Sequence, residues 1–451
     1  MVRPTILWLR RDLRLHDHPA LLAAHEEAGS GGVLPLFVVE PGLWDGAGEV
    51  RRRWLAQSLQ ALAASYDHRL VLRYGDPASV VPAVAAEVDA RAVHVTREST
   101  PHGRRRDAAV ERALGDVPLR ATGTPYAVAP GRVLKGDGTP YAVFTPFARA
   151  WHDHGWPGPA DAPRRIRWAA SDSDDQAVTA VSDAADGEQL VQPGEDAALG
   201  RWDDFVEEAV AAYDTDRDRA AVDGTSRISP YLKLGVVHPR TLLQRIAHLR
   251  SNGAATMRTE LAWREFYADV LWHHPRSAWH DLRPALTGMD YDEPGDLVDA
   301  WKAGRTGYPF VDAGMRQLLA TGWMHNRVRM VTASFLTKDL HVWWPIGARH
   351  FLDHLVDGDL ASNNHGWQWV SGTGTDAAPY FRVFNPVTQG ERFDPDGDYV
   401  RRWVPELRHL DGKAVHQPWK HADGHAHGYP ERVVDHAEER REALRRYEAV
   451  R

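Results

Sequence analysis

Short apolar runs and helical patterns take turns through the first quarter of the chain, and this alternation restricts the fold more than any other feature. Residues 6–9 (I-L-W-L) read as a buried strand, and residues 18–28 as a helix opened by Pro19. A second apolar run, 34–39, precedes a helix over 51–65 with Leu55, Leu59 and Leu62 at helical spacing. Residues 70–72 give a third strand before Gly75-Asp76-Pro77 and a helix to about Val88. Residues 92–95 give a fourth strand, followed by a helix over 104–114. Strands separated by helices pair in parallel, so the expected domain is α/β with an open, doubly wound parallel sheet. No G-x-G-x-x-G fingerprint and no Walker loop occurs, so ordinary dinucleotide or triphosphate binding has no support here.

The character then changes. Residues 169–198 are rich in Asp, Ala, Ser and Gly and hold no aromatic residue, which reads as an exposed connector. From Arg201 onward Trp and His become frequent and helical spacing dominates. The expected division is an α/β domain over 1–125, a linker over 126–198 and a large all-helical domain over 199–451. The closing segment, 437–450, reads as a charged amphipathic helix decorating the terminus.

With 451 residues the chain can build two or three domains with substantial cores. It has no run of about 18 apolar residues, so a spanning helix is not expected. The N-terminus meets Arg10, Arg11 and Asp12 without the apolar core of a signal peptide, and cytoplasmic residence is the simplest expectation. The absence of cysteine excludes disulfides, thiolate metal ligands and a thiol nucleophile. The net charge of -8 weighs against nucleic acid only until its distribution is considered. Residues 161–220 hold 16 Asp and Glu against 6 Lys and Arg, a net of -10 that leaves +2 for the remainder. A basic face elsewhere stays compatible with the composition, since charge acts locally within a Debye length of roughly 10 Å.

Residues 323–382 gather the polar groups that an ordinary core avoids. They contain W-M-H-N-R-V-R-M (323–330), L-V-D-G-D-L-A-S-N-N-H-G-W-Q-W (355–369) and G-T-G-T-D-A-A-P-Y-F-R (372–382). Carboxylates, amides and arginines set among large aromatics must find partners or cost stability, a pattern suited to a large flat polar cofactor beside an anionic substrate. Asp357 and Asp359 flank Gly358 and suggest a metal site, but no further ligands cluster with them. T-S-R-I-S-P-Y-L (225–232) places hydroxyls before a helix, either as a simple N-cap or as a grip on phosphate oxygens. In E-L-A-W-R-E-F-Y (260–267), Glu260, Trp263, Arg264 and Tyr267 share one helix face, which is either a salt-bridge seam or a functional stripe.

Taken together these motifs closely resemble the photolyase/cryptochrome family, specifically the class I repair photolyases for cyclobutane pyrimidine dimers. The resemblance spans essentially the whole chain. It implies that Tyr213, Thr225, Ser226, Ile228, Ser229, Arg264, Arg329, Asp357, Asp359 and Asn363 hold a U-shaped FAD, with Arg329 paired to Asp357 and Asn363 facing the ring N5. It makes Trp263 the platform for a flipped-out dimer, with Glu260, Asn326 and Met330 beside it and Asn363 sharing the catalytic role. Arg217, Arg327 and Arg382 match positions that contact DNA backbone. Trp367 and Trp344 match the first two members of an electron-hopping chain, and Tyr291 stands where a third tryptophan is expected. W-L-R-R-D-L-R-L-H-D-H-P-A-L (8–21) matches the family's opening motif and reads as structural. In P-H-G-R-R-R-D (101–107), His102-Gly103 replaces the Asn-Glu pair of folate-antenna relatives. The resemblance therefore favours 8-hydroxydeazaflavin over methenyltetrahydrofolate as a second chromophore, near Arg51, Glu98 and Pro101.

The implied activity is light-driven repair of pyrimidine dimers in DNA by electron transfer from photoexcited reduced FAD, carried out by a monomer. A cryptochrome-like photoreceptor without repair activity is the alternative; Asn363 and Trp263 weigh against it. A flavin-binding relative without repair activity and a (6-4) photolyase are further alternatives.

Overall fold

In a computed structural model, which describes residues 3–163, 165–283, 286, 288–375 and 382–450, five parallel strands form one sheet in the order β3-β2-β1-β4-β5. They are β1 (Thr5–Leu9), β2 (Val33–Val39), β3 (Val71–Tyr74), β4 (Val93–Val95) and β5 (Leu119–Ala121). Every residue of β1, β2 and β4 is buried. Such strands carry continuous apolar runs because helices cover both faces. The order reverses direction between β1 and β4, so the crevice beyond their carboxyl ends is a topological switch point, where open α/β sheets hold ligands.

Two boundaries differ from the sequence reading. The short edge strand β5 was not anticipated; it is half exposed and carries Arg120, so it lacks the apolar run that marks a strand. The helix expected at Arg104 begins at Pro101 (Pro101–Ala113), because proline pre-sets the first helical turn and the Thr100 hydroxyl accepts the Gly103 N–H at 3.1 Å.

The connector reading of 169–198 is also corrected. Asp175–Ala185 is a helix whose Ala177 and Val181 are buried, packed against the Glu49–Ser65 helix and β3. Gln57 donates to the Ala185 carbonyl at 3.1 Å. Alanine gives a weak apolar signal in sequence, yet two helices can approach closely over it.

The chain packs as two compact units. The first comprises Met1–Tyr141, Thr145–Glu208 and Ser226–Pro275; the second comprises Ala142–Phe144, Ala209–Thr225 and Arg276–Arg451. All five strands belong to the first unit, which also contains the Asn252–His273 helix. The second unit is helical among the described residues, with a core that includes Trp301, Phe335, Trp344, Phe351 and Trp367. Within it Phe335–Asp339 forms a π-helical turn, in which Leu340 N–H reaches the Phe335 carbonyl at 3.0 Å. The closing helix, His436–Ala449, is more than decoration. It buries His436 and Ala443, and His436 Nδ1 hydrogen-bonds the buried Asp339 carboxylate at the end of the π turn. No helix among the described residues is long and apolar enough to cross a membrane.

Candidate functional site

The residues singled out by sequence fall in both units, and each unit orders its own set through identifiable local causes. In the second unit, Asn326–Ser334 is a helix capped by His325, whose Nδ1 accepts the Arg327 N–H at 3.2 Å. Asn326 is exposed on its first turn, with half-buried Met330 one turn on. Arg329 turns inward: its Nε donates to the Met324 carbonyl at 2.8 Å and its Nη2 to Asp357 Oδ2 at 2.9 Å. The Asp357 side chain is only 4% exposed, so this charge depends on its guanidinium partner. Arg327 points to a different neighbour, pairing with Asp218 at 2.7 Å while its guanidinium lies 4.4 Å over the Phe393 ring.

Asp359 caps the Leu360–Ser371 helix, its Oδ1 accepting the Ser362 N–H at 3.1 Å. One turn in, Asn363 Nδ2 donates to the Ala348 carbonyl at 3.1 Å and to Asn364 Oδ1 at 2.8 Å. Both amide hydrogens are thus committed, and what Asn363 offers a ligand is its Oδ1 acceptor. Further along, Trp367 packs against the Trp344–His354 helix at Gly347; a Cβ there would lie 2.2 Å from the indole. Trp367 therefore sits one helical turn from the buried Trp344, in the same core. Arg382 lies 5.6 Å over Trp369, and its carbonyl accepts a hydrogen bond from buried Lys338 Nζ. Arg217 stands 5.8 Å over the Tyr213 ring. The part of the 372–382 motif over residues 376–381 lies outside the described residues.

The first unit holds Ser226, Ile228, Ser229, Glu260, Trp263 and Arg264. Ile228 stands at the N-cap position of the short Ser229–Leu234 helix and no side-chain oxygen caps it, so the ordinary capping reading of this segment is not realised. Glu260, Trp263, Arg264 and Tyr267 lie half buried along one face of the Asn252–His273 helix, with the Trp263 ring 5.4 Å from Tyr267 and 5.8 Å from Phe266. Arg264 donates to the Pro125 and Leu232 carbonyls at 3.1 and 3.2 Å and covers Tyr126 at 4.4 Å, which gives it a structural task.

Beside that stripe lies a residue that sequence reasoning missed. Glu265 is buried and accepts the Ala127 and Val128 N–H groups and the Trp151 indole N–H. Burial pushes its carboxyl up to about 7, against those three donors. Its partners are 114 to 138 residues away in sequence, so no local signal marks it. In the second unit, Gln368, His365 and Asp281 were missed for the same reason. Gln368 donates to the Ser277 carbonyl at 2.7 Å and accepts the Leu282 N–H at 2.8 Å, and His365 meets Ser277 Oγ at 2.9 Å.

At the sheet's switch point the first unit gathers a second polar set. Arg10, just past β1, pairs with Asp107 at 3.0 Å and covers Trp8 at 4.4 Å. Glu40, just past β2, meets His102 at 2.8 Å and Arg106 at 3.7 Å. Glu98, past β4, accepts the Ser99 and Thr100 N–H groups at 2.8 and 3.1 Å. Burial works to raise the Glu98 pKa, but Arg11 and Arg106 overcome it and hold the carboxyl below its ordinary range. Gly103 is required here, because a Cβ would lie 1.8 Å from Glu98 Cγ. Pro101 opens the adjoining helix, and Arg51 lies on the Glu49–Ser65 helix.

For the flavin implied by the sequence, the donor set fits. Asn363 has acceptor capacity suited to a ring N–H, and the Arg329–Asp357 pair is internally neutralised. No group of three or more His, Asp or Glu residues able to hold a metal occurs among the described residues.

Comparison with known proteins identifies the family. Residues 5–164 match the family model described as DNA photolyase, and residues 257–449 the model described as FAD binding domain of DNA photolyase. The chain is 40% identical to the deoxyribodipyrimidine photo-lyase of Escherichia coli, over 99% of this chain and 98% of the relative. Among solved structures, a bacterial class III photolyase from Agrobacterium tumefaciens aligns with a TM-score of 0.92 at 38% identity, covering 100% of this chain and 98% of that one. A cryptochrome from Synechocystis aligns with a TM-score of 0.90 at 27% identity, covering 99% of both chains.

Proposed function

Because the chain belongs to the DNA photolyase family, we propose that its helical segments hold FAD where an extruded pyrimidine dimer is repaired. The activity is deoxyribodipyrimidine photolyase activity: light-driven repair of cyclobutane pyrimidine dimers in DNA. When bound, reduced FAD would supply the photochemistry of this repair, an electron lent to the dimer and returned after the ring has split, with no net redox change. The protein's part is position and electrostatics. The observation that carries the site assignment is Asn363, whose committed amide hydrogens leave only an acceptor for a reduced ring's N–H. Asp357 and Arg329 neutralise one another, and Asp359, Tyr213, Thr225, Ser226, Ile228 and Ser229 complete the cofactor's surroundings.

The dimer stacks on Trp263, a flat indole already ordered by Phe266 and Tyr267. Base–aromatic stacking of this kind contributes roughly 1–3 kcal/mol per base. Glu260, Asn326 and Met330 contact the lesion. Arg217, Arg327 and Arg382 meet phosphates, which fixes register without reading sequence. Lesion choice comes from flipping, which costs less where stacking is already weakened. Trp367 and Trp344 carry electrons inward when the flavin is oxidised, and Tyr291 occupies the next position.

The second chromophore we assign to the switch-point crevice near Arg51, Glu98 and Pro101. A deazaflavin is favoured over a folate because His102 is bound to Glu40 and Gly103 tolerates no side chain. The working form is a cytoplasmic monomer, built from an α/β domain over 1–125, a linker over 126–198 and a helical domain over 199–451. No observation favours the photoreceptor alternative, since the fold it shares is common to both. The deciding experiment illuminates fully reduced protein with a dimer-containing oligonucleotide. Restoration of the two pyrimidines is expected, and intact dimers after illumination would reject the assignment. Absorption spectra with chromophore extraction, after expression in a host that makes deazaflavin, test the antenna.

A further inference from the structure

We propose that Asp281 ends the electron-transfer chain at Trp344 by accepting the indole proton when Trp344 is oxidised. The inference rests on the assignment of Trp367 and Trp344 as electron donors, and it adds a positioning residue that acts through Trp344.

One carboxylate oxygen, Asp281 Oδ1, accepts the Trp344 indole N–H at 2.7 Å and the neighbouring Trp343 indole N–H at 3.2 Å. Two tryptophans directed at one carboxylate are a costly arrangement to hold by accident, because a core indole can satisfy its N–H with any carbonyl. The segment bearing Asp281 is fastened on both sides. Leu282 N–H is held by Gln368 at 2.8 Å and Arg283 N–H by the Thr373 carbonyl at 2.9 Å. Gln368 lies on the same helix as Trp367, one residue on, so the carboxylate and the inner tryptophan are fixed to one element.

The position beyond Trp344 is poorly equipped to take the charge. Tyr291 is held near the Trp343-Trp344 segment, since the next residue, Asp292, donates its N–H to the His341 carbonyl at 3.0 Å. Its Oη is buried and has no hydrogen-bond partner among the described residues. Burial first, and the Asp281 carboxylate second, push the phenol's pKa up. A phenol gives up an electron readily only when its proton can leave, and no acceptor among the described residues is in contact with it. Trp344 has one at 2.7 Å.

Trp344 gives one electron to the oxidised indole of Trp367, whose own electron has gone to a photoexcited oxidised flavin. The Trp344 Nε1–H bond breaks and an Asp281 Oδ1–H bond forms. The products are a neutral indolyl radical and a neutral carboxylic acid, in place of an indole and a carboxylate. Return of the electron then requires return of the proton, which lengthens the life of the separated state.

Transient absorption and electron paramagnetic resonance of the flavoprotein, prepared with oxidised flavin, test this. The wild type should show a neutral indolyl radical without a tyrosyl radical, and the neutral radical should form more slowly in D₂O. Asp281→Asn keeps an acceptor but loses the charge and the basic oxygen. It should shorten the radical lifetime roughly five- to tenfold, the difference between a charged and a neutral hydrogen bond, and Asp281→Glu should recover part of it. A wild-type tyrosyl radical that disappears in Tyr291→Phe overturns the inference, as does an unchanged lifetime in Asp281→Asn. If Asp281→Asn does not fold, the wild-type D₂O comparison decides alone, and equal rates in both solvents reject the proton step. Trp344→Phe separates the two levels. A lost photoreduction yield in that variant with a normal Asp281→Asn removes only the role of Asp281. An unchanged yield in Trp344→Phe removes the donor assignment and this inference with it.

Discussion

At the scale of single residues, the candidate site is a set of polar groups whose partners fix what they can still do. Asp357 illustrates the cost of leaving one unmatched. Its side chain is 4% exposed and its Arg329 partner 25%, so the pair is largely removed from water. Arg329→Ala should destabilise the protein by about 3–5 kcal/mol, the usual penalty for a buried carboxylate that loses its cation, and should lower flavin content in parallel. Thermal unfolding and the ratio of flavin to protein absorbance measure both effects. Trp263→Ala should act differently. Its loss removes a stacking surface on a half-buried face, so preference for dimer-containing over intact DNA should fall by roughly 1–3 kcal/mol while flavin content stays near normal. Competition binding between the two DNAs checks this, and unchanged discrimination would contradict the platform role. The sequence disclosed these residues unequally. Short motifs mark Trp263 and Asn363 as candidates, and the Arg329–Asp357 pair expected from the same kind of motif is present. Glu265, Gln368 and Asp281 were not, because each is defined by partners distant in the chain and nothing local distinguishes a buried carboxylate or amide from a solvated one.

At the scale of elements, apolar periodicity located the central strands and the helices between them within a few residues, since burial on both faces leaves an uninterrupted apolar run. It failed where burial is partial or rests on small residues: β5 at the sheet edge, and the Asp175–Ala185 helix, which was read as connector. The π turn at Phe335–Asp339 has no sequence signature at all. It is held by contacts from elsewhere, chiefly His436 of the closing helix against the fully buried Asp339 side chain. Burial raises the Asp339 pKa while His436 opposes it, so the pair is interdependent. His436→Ala should cost on the order of 3 kcal/mol and weaken the closing helix, detectable as faster amide exchange over 436–449. Exchange that is unaltered there would show that the helix is held by its other contacts. A second element-scale expectation concerns Gly347. Alanine normally favours a helix over glycine by about 1 kcal/mol. Here the added methyl meets the Trp367 ring at 2.2 Å and Leu336 at 2.5 Å, so Gly347→Ala should lower the melting temperature instead.

At the scale of the whole molecule, the opening motif shows why resistance to acid should be limited. Sequence gave Trp8–Leu21 a structural part, and the arrangement explains the chemistry of that part. His18 is buried; its Nδ1 accepts the Leu21 N–H at 3.2 Å as a helix cap, and its Nε2 lies 3.4 Å from Asp12 Oδ2. Both functions use a neutral imidazole with its proton on Nε2. Burial pushes the His18 pKa down to about 4, with Arg14 adding to the effect and Asp12 opposing it. An unfolded histidine titrates near 6.5, so between about pH 6.5 and 4 the unfolded chain binds a proton that the folded chain refuses. Stability therefore falls as pH drops through this window, by roughly 3 kcal/mol from His18 when the full shift is crossed. His238, also buried, is pushed down to about 4 and steepens the same loss. Asp12 works in a separate range: its folded pKa is lowered, so its contribution is present above the unfolded carboxylate pKa and disappears only at more acidic pH. Denaturant unfolding at pH 7.5, 6, 5 and about 4.5 should show the decline, with its slope in the window set by proton uptake on unfolding. His18→Asn provides the internal comparison. Asparagine can cap the helix through its side-chain oxygen but cannot titrate here, so the variant should be less stable near neutrality yet lose less on acidification. Parallel pH profiles for the two proteins would remove His18 as a source of acid sensitivity.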